Sequence, residues 1–185
     1  MESEDALERV TSRRMIFRGK YLHLEMLHVK LKDGRRGERE IVRVPDAVAV
    51  LPVEEDGTVH LVRQHRPAIG RTLLEIPAGL LDVGEDEEGA ALRECEEETG
   101  YVPGRLERIL SYAHAEGYST GFITLFLGTD LSYTGNQQFD SSEYVEPVRM
   151  PYEALLRRVK NGEFVDSKTI LCAILCEKRL ARTID

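Results

Sequence analysis

Three glutamates near the middle of the chain have the spacing to act together. Glu94 and Glu98 are four positions apart and Glu97 follows Glu94 by three, so a helix would place all three carboxylates on one face. Like charges at this spacing disfavour a helix by roughly 0.2–0.5 kcal/mol per pair. A divalent cation bound among these hard oxygen ligands would remove that repulsion. The spacing therefore indicates a metal site, although a solvated acidic helix face gives the same pattern.

The glutamates belong to a longer pattern. In order along the chain, its members are Gly79, Glu85, Arg93-Glu94, Glu97-Glu98, Gly100 and the bulky Tyr101. The pattern resembles the Nudix box, the signature of hydrolases that act on nucleoside diphosphates linked to another moiety. Cys95 departs from it, since the family usually carries an aliphatic residue there. Because Cys is a small and commonly buried hydrophobe, the departure changes packing volume and leaves the chemistry intact.

The resemblance implies a cofactor and a set of ligands. Mg²⁺ would be the cofactor, with Mn²⁺ as a substitute, since carboxylates and water suit magnesium better than zinc. The implied ligands are Glu94 and Glu98 as the main pair, Glu97 in support, and the backbone carbonyl of Ala78. Arg93 would belong to the catalytic centre as a structural member that pairs with Glu97 or Glu85.

The segments flanking the box resemble ADP-ribose pyrophosphatases and related nucleoside-diphosphate-sugar hydrolases. The resemblance covers most of residues 12–176 and implies cleavage of a nucleotide sugar to a nucleoside monophosphate and a sugar phosphate. It assigns Arg63 and Arg66 to the diphosphate and makes Glu75 a metal-side or substrate-side carboxylate. Solvated arginines at a strand end remain the alternative for the two guanidinium groups.

The segment 113–122 departs from the ADP-ribose pattern. Glu116 stands where those enzymes carry Pro, and Thr120 and Gly121 replace an acidic pair, whereas Gly117 is kept. This favours a wider range of nucleotide sugars over strict specificity for ADP-ribose. By the resemblance, Tyr118 borders the nucleoside, and a packing aromatic is the other interpretation.

The general base is expected outside the box. Related enzymes often take it from a loop before the second helix, where this chain has Asp140 and Glu143. Glu143 is the predicted base because it directly precedes a predicted strand, as the acidic residue does in the subgroup. A solvated loop acid is the alternative, and His114 is a separate candidate.

Two other functions remain open. One is hydrolysis of nucleoside triphosphates or dinucleoside polyphosphates, which the long N-terminal strand region and the flank EIPAGLLD disfavour. The other is a Nudix-like module that binds a nucleotide without cleaving it. A binding module could lose its box carboxylates, yet Glu94, Glu97 and Glu98 are all present.

Composition restricts the partners. A net charge of −8 argues against binding to nucleic acid or anionic membranes, which relies on clustered Lys and Arg. The acidic N-terminus lacks an apolar segment, and no apolar run is long enough to span a bilayer. Three cysteines without repeated spacing suggest buried thiols in a reducing, cytoplasmic setting, with a metal or redox role for Cys172 and Cys176 as the alternative.

The order of predicted elements indicates an α+β protein. Alternating residues predict an N-terminal strand region over 1–45 and further strands within a domain at 46–185, including one at 73–79. Helices are expected at 86–99, 151–160 and 167–182. The Nudix resemblance implies an α/β/α sandwich with a mixed sheet between helices. It also implies a homodimer to which the N-terminal strands contribute.

Overall fold

The structure, a computed structural model, describes residues 6–138 and 144–181, which form two compact units. The first unit contains the described residues up to Asp46 together with Ala113–Phe122. The second contains Ala47–Tyr112 and the described residues from Ile123 onward. The division into a dimerising region 1–45 and a catalytic domain 46–185 stays a prediction.

The first unit is built on an antiparallel sheet. Its strands are β1 (Glu8–Arg18), β2 (His23–Leu31) and β3 (Arg36–Arg43), with β2 in the middle. Gly34 adopts a φ of 89° in the turn between β2 and β3, as the Asp-Gly signal predicts. Leu27 and Val29 point from β2 to a buried face, which confirms the strand predicted from alternation.

The rest of the described chain supplies the remaining strands and the helices. The strands are β4 (Ala47–Pro52), β5 (Thr58–Arg66), β6 (Arg71–Glu75), β7 (Ala78–Leu80), β8 (Tyr101–Ala113), β9 (Phe122–Tyr133) and β10 (Val145–Pro151). The helices are α1 (Glu87–Thr99), α2 (Tyr152–Lys160) and α3 (Ser167–Leu180). All three helices lie within one or two residues of the predicted ranges.

The sheet beside the box is mixed. Its strand order is β7-β4-β9-β8, with β4 antiparallel to β7 and parallel to β9. A second, antiparallel sheet places β5 between β6 and β10. The single strand predicted at 73–79 is wrong: it is divided between the two sheets. Pro77 separates β6 from β7, because proline has no amide hydrogen to continue a ladder.

Helices cover both faces of the mixed sheet. Val48 and Val50 of β4 pack with Cys95 of α1 in one apolar cluster. The alternate residues Ala49 and Leu51 belong to a second cluster, which includes side chains of α2 and α3. Successive side chains of β4 therefore point to opposite faces of the sheet, and each face packs against a different helix layer. This arrangement confirms the predicted α/β/α sandwich.

Helix α3 buries one face and exposes the other. Asp166 caps its first turn by accepting a hydrogen bond from the Thr169 amide at 3.0 Å. Cys172 and Cys176 are fully buried on it with free thiols, which fits the prediction of structural cysteines. No helix in the described ranges combines the length and apolarity needed to cross a membrane.

Candidate active site

Arg93 joins the loop and the helix of the box. Its Nε and Nη2 donate to the two carboxylate oxygens of Glu85 at 2.9 and 2.8 Å. Its Nη1 donates to Glu94 at 2.6 Å and to Glu97 at 3.2 Å. The sequence left Glu85 and Glu97 open as partners, and the structure contains both contacts. The guanidinium hydrogen bond lowers the pKa of Glu85 to about 2, so this carboxylate stays ionised at neutral pH.

Glu94 packs directly against the backbone of Gly79. A Cβ built on Gly79 would lie 1.9 Å from Oε1 of Glu94, far inside van der Waals contact. Gly79 lies within β7 and not in a turn. Its lack of a side chain makes room for the carboxylate. This role was missed, since the sequence does not show how closely a helix approaches a strand.

The environment of Glu94 opposes its negative charge. Burial raises the pKa of this carboxyl, and the charges of Glu97 and Glu85 act in the same direction, against the opposing effect of Arg93. A partly buried carboxylate among other carboxylates is the situation that a cation would relieve.

Glu98 lies on the same side of α1 and is buried. Its Oε2 accepts a hydrogen bond from the Ala78 amide at 3.0 Å. The structure thus brings Glu94 and Glu98 to neighbouring residues of β7. Ala78, whose carbonyl the Nudix resemblance implies as a metal donor, is next to both carboxylates.

The donor groups fit a hard divalent cation in chemical type. Glu94, Glu97, Glu98 and the Ala78 carbonyl are all oxygen donors, which magnesium prefers. In the described residues, no three acidic, His or Cys side chains converge closely enough to enclose an ion as they stand. Arg93 instead occupies one oxygen of Glu94. The chemical type of these donors therefore fits a magnesium ion. In the structure, however, the Arg93 guanidinium lies among the carboxylates.

Arg66 is fixed by a buried carboxylate. Its Nε and Nη2 each donate to one oxygen of Glu75 at 2.8 Å. Lys168 also donates to Glu75, at 2.7 Å, a partner that sequence reasoning missed. Burial raises the pKa of Glu75, but the hydrogen bonds and charges of Arg66 and Lys168 outweigh it and lower that pKa to about 2.

Arg63 and Arg66 share a cavity of about 540 Å³. Tyr144 and Glu146 also line it. Arg63 is paired with Glu146 through contacts of 2.9 and 3.0 Å, so it is not a freely solvated group. The structure therefore brings together the two arginines that the resemblance assigns to a diphosphate. Their role in binding it stays a prediction.

The segment after β9 is hydrogen-bonded to the C-terminal end of α1. The amides of Thr134 and Gln138 donate to the carbonyls of Gly100 at 2.9 Å and Glu97 at 3.1 Å. The side chain of Gln137 donates to the carbonyl of Glu98 at 3.3 Å. These contacts satisfy helix carbonyls that would otherwise lack partners. The predicted base Glu143 and its alternative Asp140 lie outside the described residues.

Tyr118 and His114 lie in the first unit. The ring of Tyr118 is exposed, and its backbone carbonyl accepts a hydrogen bond from the Val42 amide at 2.7 Å. His114 contacts the Gly121 carbonyl through Nδ1 at 3.1 Å, which gives it a structural partner. A nucleoside contact by Tyr118 stays a prediction.

The sandwich and its acidic helix define a class of hydrolases. A model of the NUDIX domain matches residues 43–170. An ADP-ribose pyrophosphatase from Bacillus subtilis (strain 168) is 39% identical over 163 residues, 88% of each chain. A methanol dehydrogenase activator from Bacillus methanolicus is 35% identical over 165 residues, 89% of each chain. The chain belongs to the Nudix family and is a Nudix hydrolase.

A solved structure supports the same fold. The crystal structure of an ADP compounds hydrolase superposes with a TM-score of 0.84 and covers 96% of each chain. At 22% identity, this likeness concerns the fold alone.

Proposed function

We propose that this hydrolase cleaves the pyrophosphate bond of nucleoside diphosphate sugars, ADP-ribose among them. The observation that carries the proposal is the approach of Glu94 and Glu98 to Gly79 and Ala78 of β7. It occurs in a chain 39% identical to an ADP-ribose pyrophosphatase over 88% of both proteins. One water is consumed, one P–O bond breaks, and a nucleoside monophosphate and a sugar phosphate are formed.

Mg²⁺ is the proposed cofactor, with Mn²⁺ as a substitute. Glu94, Glu98 and the Ala78 carbonyl would hold it, with Glu97 in support. A bound divalent cation neutralises phosphate oxygens and lowers the pKa of a coordinated water. The buried position of Glu94 beside other carboxylates supports this assignment.

Four further side chains complete the proposed site. Arg66 and Arg63 bind the diphosphate through charged hydrogen bonds at the cavity they share. Arg93 holds Glu94 and Glu97 in place. Glu143 is the proposed acceptor of the proton from water. Together these groups orient the anhydride and remove the proton that hydrolysis releases.

A substrate panel tests the activity. The protein with Mg²⁺ is incubated with ADP-ribose, ADP-glucose, GDP-mannose, ATP and diadenosine tetraphosphate, and the products are separated by anion-exchange chromatography. We expect nucleoside monophosphates from the nucleotide sugars, and more than one sugar accepted, because Glu116, Thr120 and Gly121 depart from the ADP-ribose pattern. Cleavage confined to the last two compounds would replace this proposal with the polyphosphate alternative, and ligand binding without turnover would favour a binding module.

A matched pair of variants tests the metal assignment. Glu98→Gln removes the buried charge of α1 that contacts β7. Glu88→Gln removes an exposed charge from the first turn of α1. We expect a loss of at least about a hundredfold in kcat for Glu98→Gln, on the scale of removing a key electrostatic group, and little change for Glu88→Gln. Undiminished activity in Glu98→Gln would refute the ligand assignment.

A homodimer and a cytoplasmic location are part of the proposal. The exposed apolar side chains Met15, Ile16 and Phe17 of β1 support a second copy packing on the N-terminal sheet. Light scattering after size exclusion tests this, with Phe17→Asp expected to shift a dimer toward monomer.

The free, buried thiols Cys95, Cys172 and Cys176 are compatible with a reducing compartment.

A further inference from the structure

Four charged side chains form a chain of contacts that links the ends of β5 and β6 to the start of α3. Arg66 donates two hydrogen bonds to Glu75, and Lys168 donates to the same carboxylate at 2.7 Å. Lys168 also donates to Asp166 at 2.5 Å. The side chain of Glu75 is 1% exposed, that of Lys168 12% and that of Arg66 38%. The cluster therefore begins in the interior and ends at a guanidinium that reaches the cavity.

The geometry leaves one edge of Arg66 available. Nε and Nη2 are used by Glu75. Within the described part of the chain, the third nitrogen, Nη1, has no hydrogen-bond acceptor. Arg66 also lines the cavity it shares with Arg63. A forked contact on one edge fixes the plane of the guanidinium, so its other edge is oriented before any ligand arrives.

The charges of the cluster explain why Lys168 is needed. Glu75 is a buried carboxylate, and a buried ionised group requires compensation. If Arg66 were its only cation, an anionic ligand would compete with Glu75 for the same positive charge. Lys168 supplies a second positive charge to Glu75, at the same Oε2 oxygen that Nη2 of Arg66 contacts. Glu75 then shares its negative charge between two cations, so it neutralises Arg66 less completely than it would alone, although Asp166 offsets part of the charge of Lys168.

A purely structural role for Lys168 is less consistent with the contacts. The connection between β6 and α3 is already made by Thr169, whose hydroxyl accepts from the Ile76 amide at 2.9 Å and donates to Asp166 at 2.6 Å. Asp166 caps the helix through the Thr169 amide. The joint between the two elements therefore has hydrogen bonds of its own through Thr169, which uses Oδ2 of Asp166 whereas Lys168 uses Oδ1.

We propose that Lys168 is a positioning residue that, by compensating Glu75, holds Arg66 ready for the diphosphate of the substrate. In this arrangement the carboxylate of Glu75 fixes the orientation of the Arg66 guanidinium. This inference rests on the proposed function, because it takes the cavity ligand to be a diphosphate. It concerns the affinity for that group, which can be measured without turnover.

A double-mutant cycle tests whether Lys168 acts through Arg66. The variants are Lys168→Met, Arg66→Met and the double variant, with Lys168→Arg as the conservative replacement. Lys160→Met is the control, since it removes only an exposed ion pair with Glu177. The affinity for α,β-methylene-ADP with Mg²⁺ is measured by calorimetry, together with kcat, KM and the melting temperature. Lys168→Gln keeps a donor to Glu75 and serves if Lys168→Met does not fold.

The proposal predicts a specific pattern. Lys168→Met weakens binding of the probe about tenfold or more in the wild-type background, but less than twofold when Arg66 is already Met. Lys168→Arg retains most of the affinity, and Lys160→Met matches the wild type. An equal effect in both backgrounds, no effect in the wild type, or a wild type that does not bind the probe would each overturn the proposal.

Hydrolysis by the wild type reports separately on the proposed function. A protein that binds the probe with the predicted coupling, yet cleaves no nucleotide sugar, would refute the proposed function and retain the role of Lys168. If the protein cleaves nucleotide sugars but the effects of Lys168→Met and Arg66→Met on probe affinity are additive, the proposed function is retained and the role of Lys168 is refuted.

Discussion

The carboxylate of Glu94 and the backbone of Gly79 occupy adjoining space that no side chain at position 79 could share. A Cβ at Gly79 would lie 1.9 Å from Oε1 and 2.1 Å from Cδ of Glu94. The first glycine of the box is therefore required by the glutamate fifteen residues later. Strand β7 and helix α1 consequently act as one unit in placing this carboxylate.

Replacing Gly79 with Ala should displace Glu94 and lower activity by about a hundredfold, the scale of a misplaced reacting group. Because the atoms in the way belong to the end of the flexible Glu94 side chain, the cost in unfolding free energy should stay at or below about 1 kcal/mol, the lower end of the range for overpacking. Nucleotide-sugar hydrolysis and urea denaturation measure the two effects. Gly117→Ala is the control, because a Cβ there meets no atom within 4 Å. Full activity in Gly79→Ala would mean that Glu94 is not needed where it lies.

Acid should remove part of the stability that Glu75 provides. Its pKa is lowered from 4.5 to about 2, so the folded state binds the proton less readily than the unfolded state. The contribution is fully present above the unfolded pKa and is lost as the pH falls from about 4.5 toward 2. It should amount to roughly 3 kcal/mol, from about 1.4 kcal/mol per pKa unit.

Urea unfolding at pH 3 and pH 6 measures this pH dependence. Glu75→Gln should reduce the difference in unfolding free energy between the two pH values. Glu163→Gln, which removes an exposed partner of Arg158, should leave that difference nearly unchanged. A pH dependence that is identical in wild type and Glu75→Gln would contradict the assignment.

Magnesium should stabilise the folded protein, since a ligand that binds only the folded state raises the free energy of unfolding. The expected gain is about 2.7 kcal/mol at a concentration one hundred times the dissociation constant. Glu98→Gln should lose most of this gain, whereas Glu88→Gln should keep it. Thermal unfolding with EDTA and with increasing Mg²⁺ provides the measurement, and an equal response in Glu98→Gln would exclude that carboxylate as a ligand.

Local patterns predicted the helices and most strands, because their signals lie within short segments. Asp86, Gly100 and the apolar positions of α1 sufficed for its bounds. The pairing of Glu75 with Lys168 joins residues 93 positions apart, and no periodicity within either segment contains that contact. The sequence analysis placed Glu75 near the site, but it did not identify Lys168 as its partner. An Asp cap followed two residues later by Lys was the available signal, and it is too common to identify an ion pair.

At Gly100, the effect of a substitution on backbone strain can be separated from its effect on packing. Gly100 has a φ of 78°, and a Cβ there would lie 3.2 Å from both Gln137 and Tyr133. Gly100→Ala should therefore cost about 1–2 kcal/mol in backbone strain and also loosen the segment at Thr134–Gln138 from α1.

Gly162→Ala is the matched control for Gly100→Ala. Gly162 has a φ of 76°, but a Cβ there meets no atom within 4 Å, so it shares the strain without the packing contact. Both variants should lose stability through the backbone strain, and Gly100→Ala at least as much as Gly162→Ala. Only Gly100→Ala should accelerate hydrogen exchange at the Gln138 amide, which donates to the Glu97 carbonyl at 3.1 Å. Equal exchange in the two variants would show that Gly100 ends the helix without a part in holding this segment against the glutamate-bearing turn.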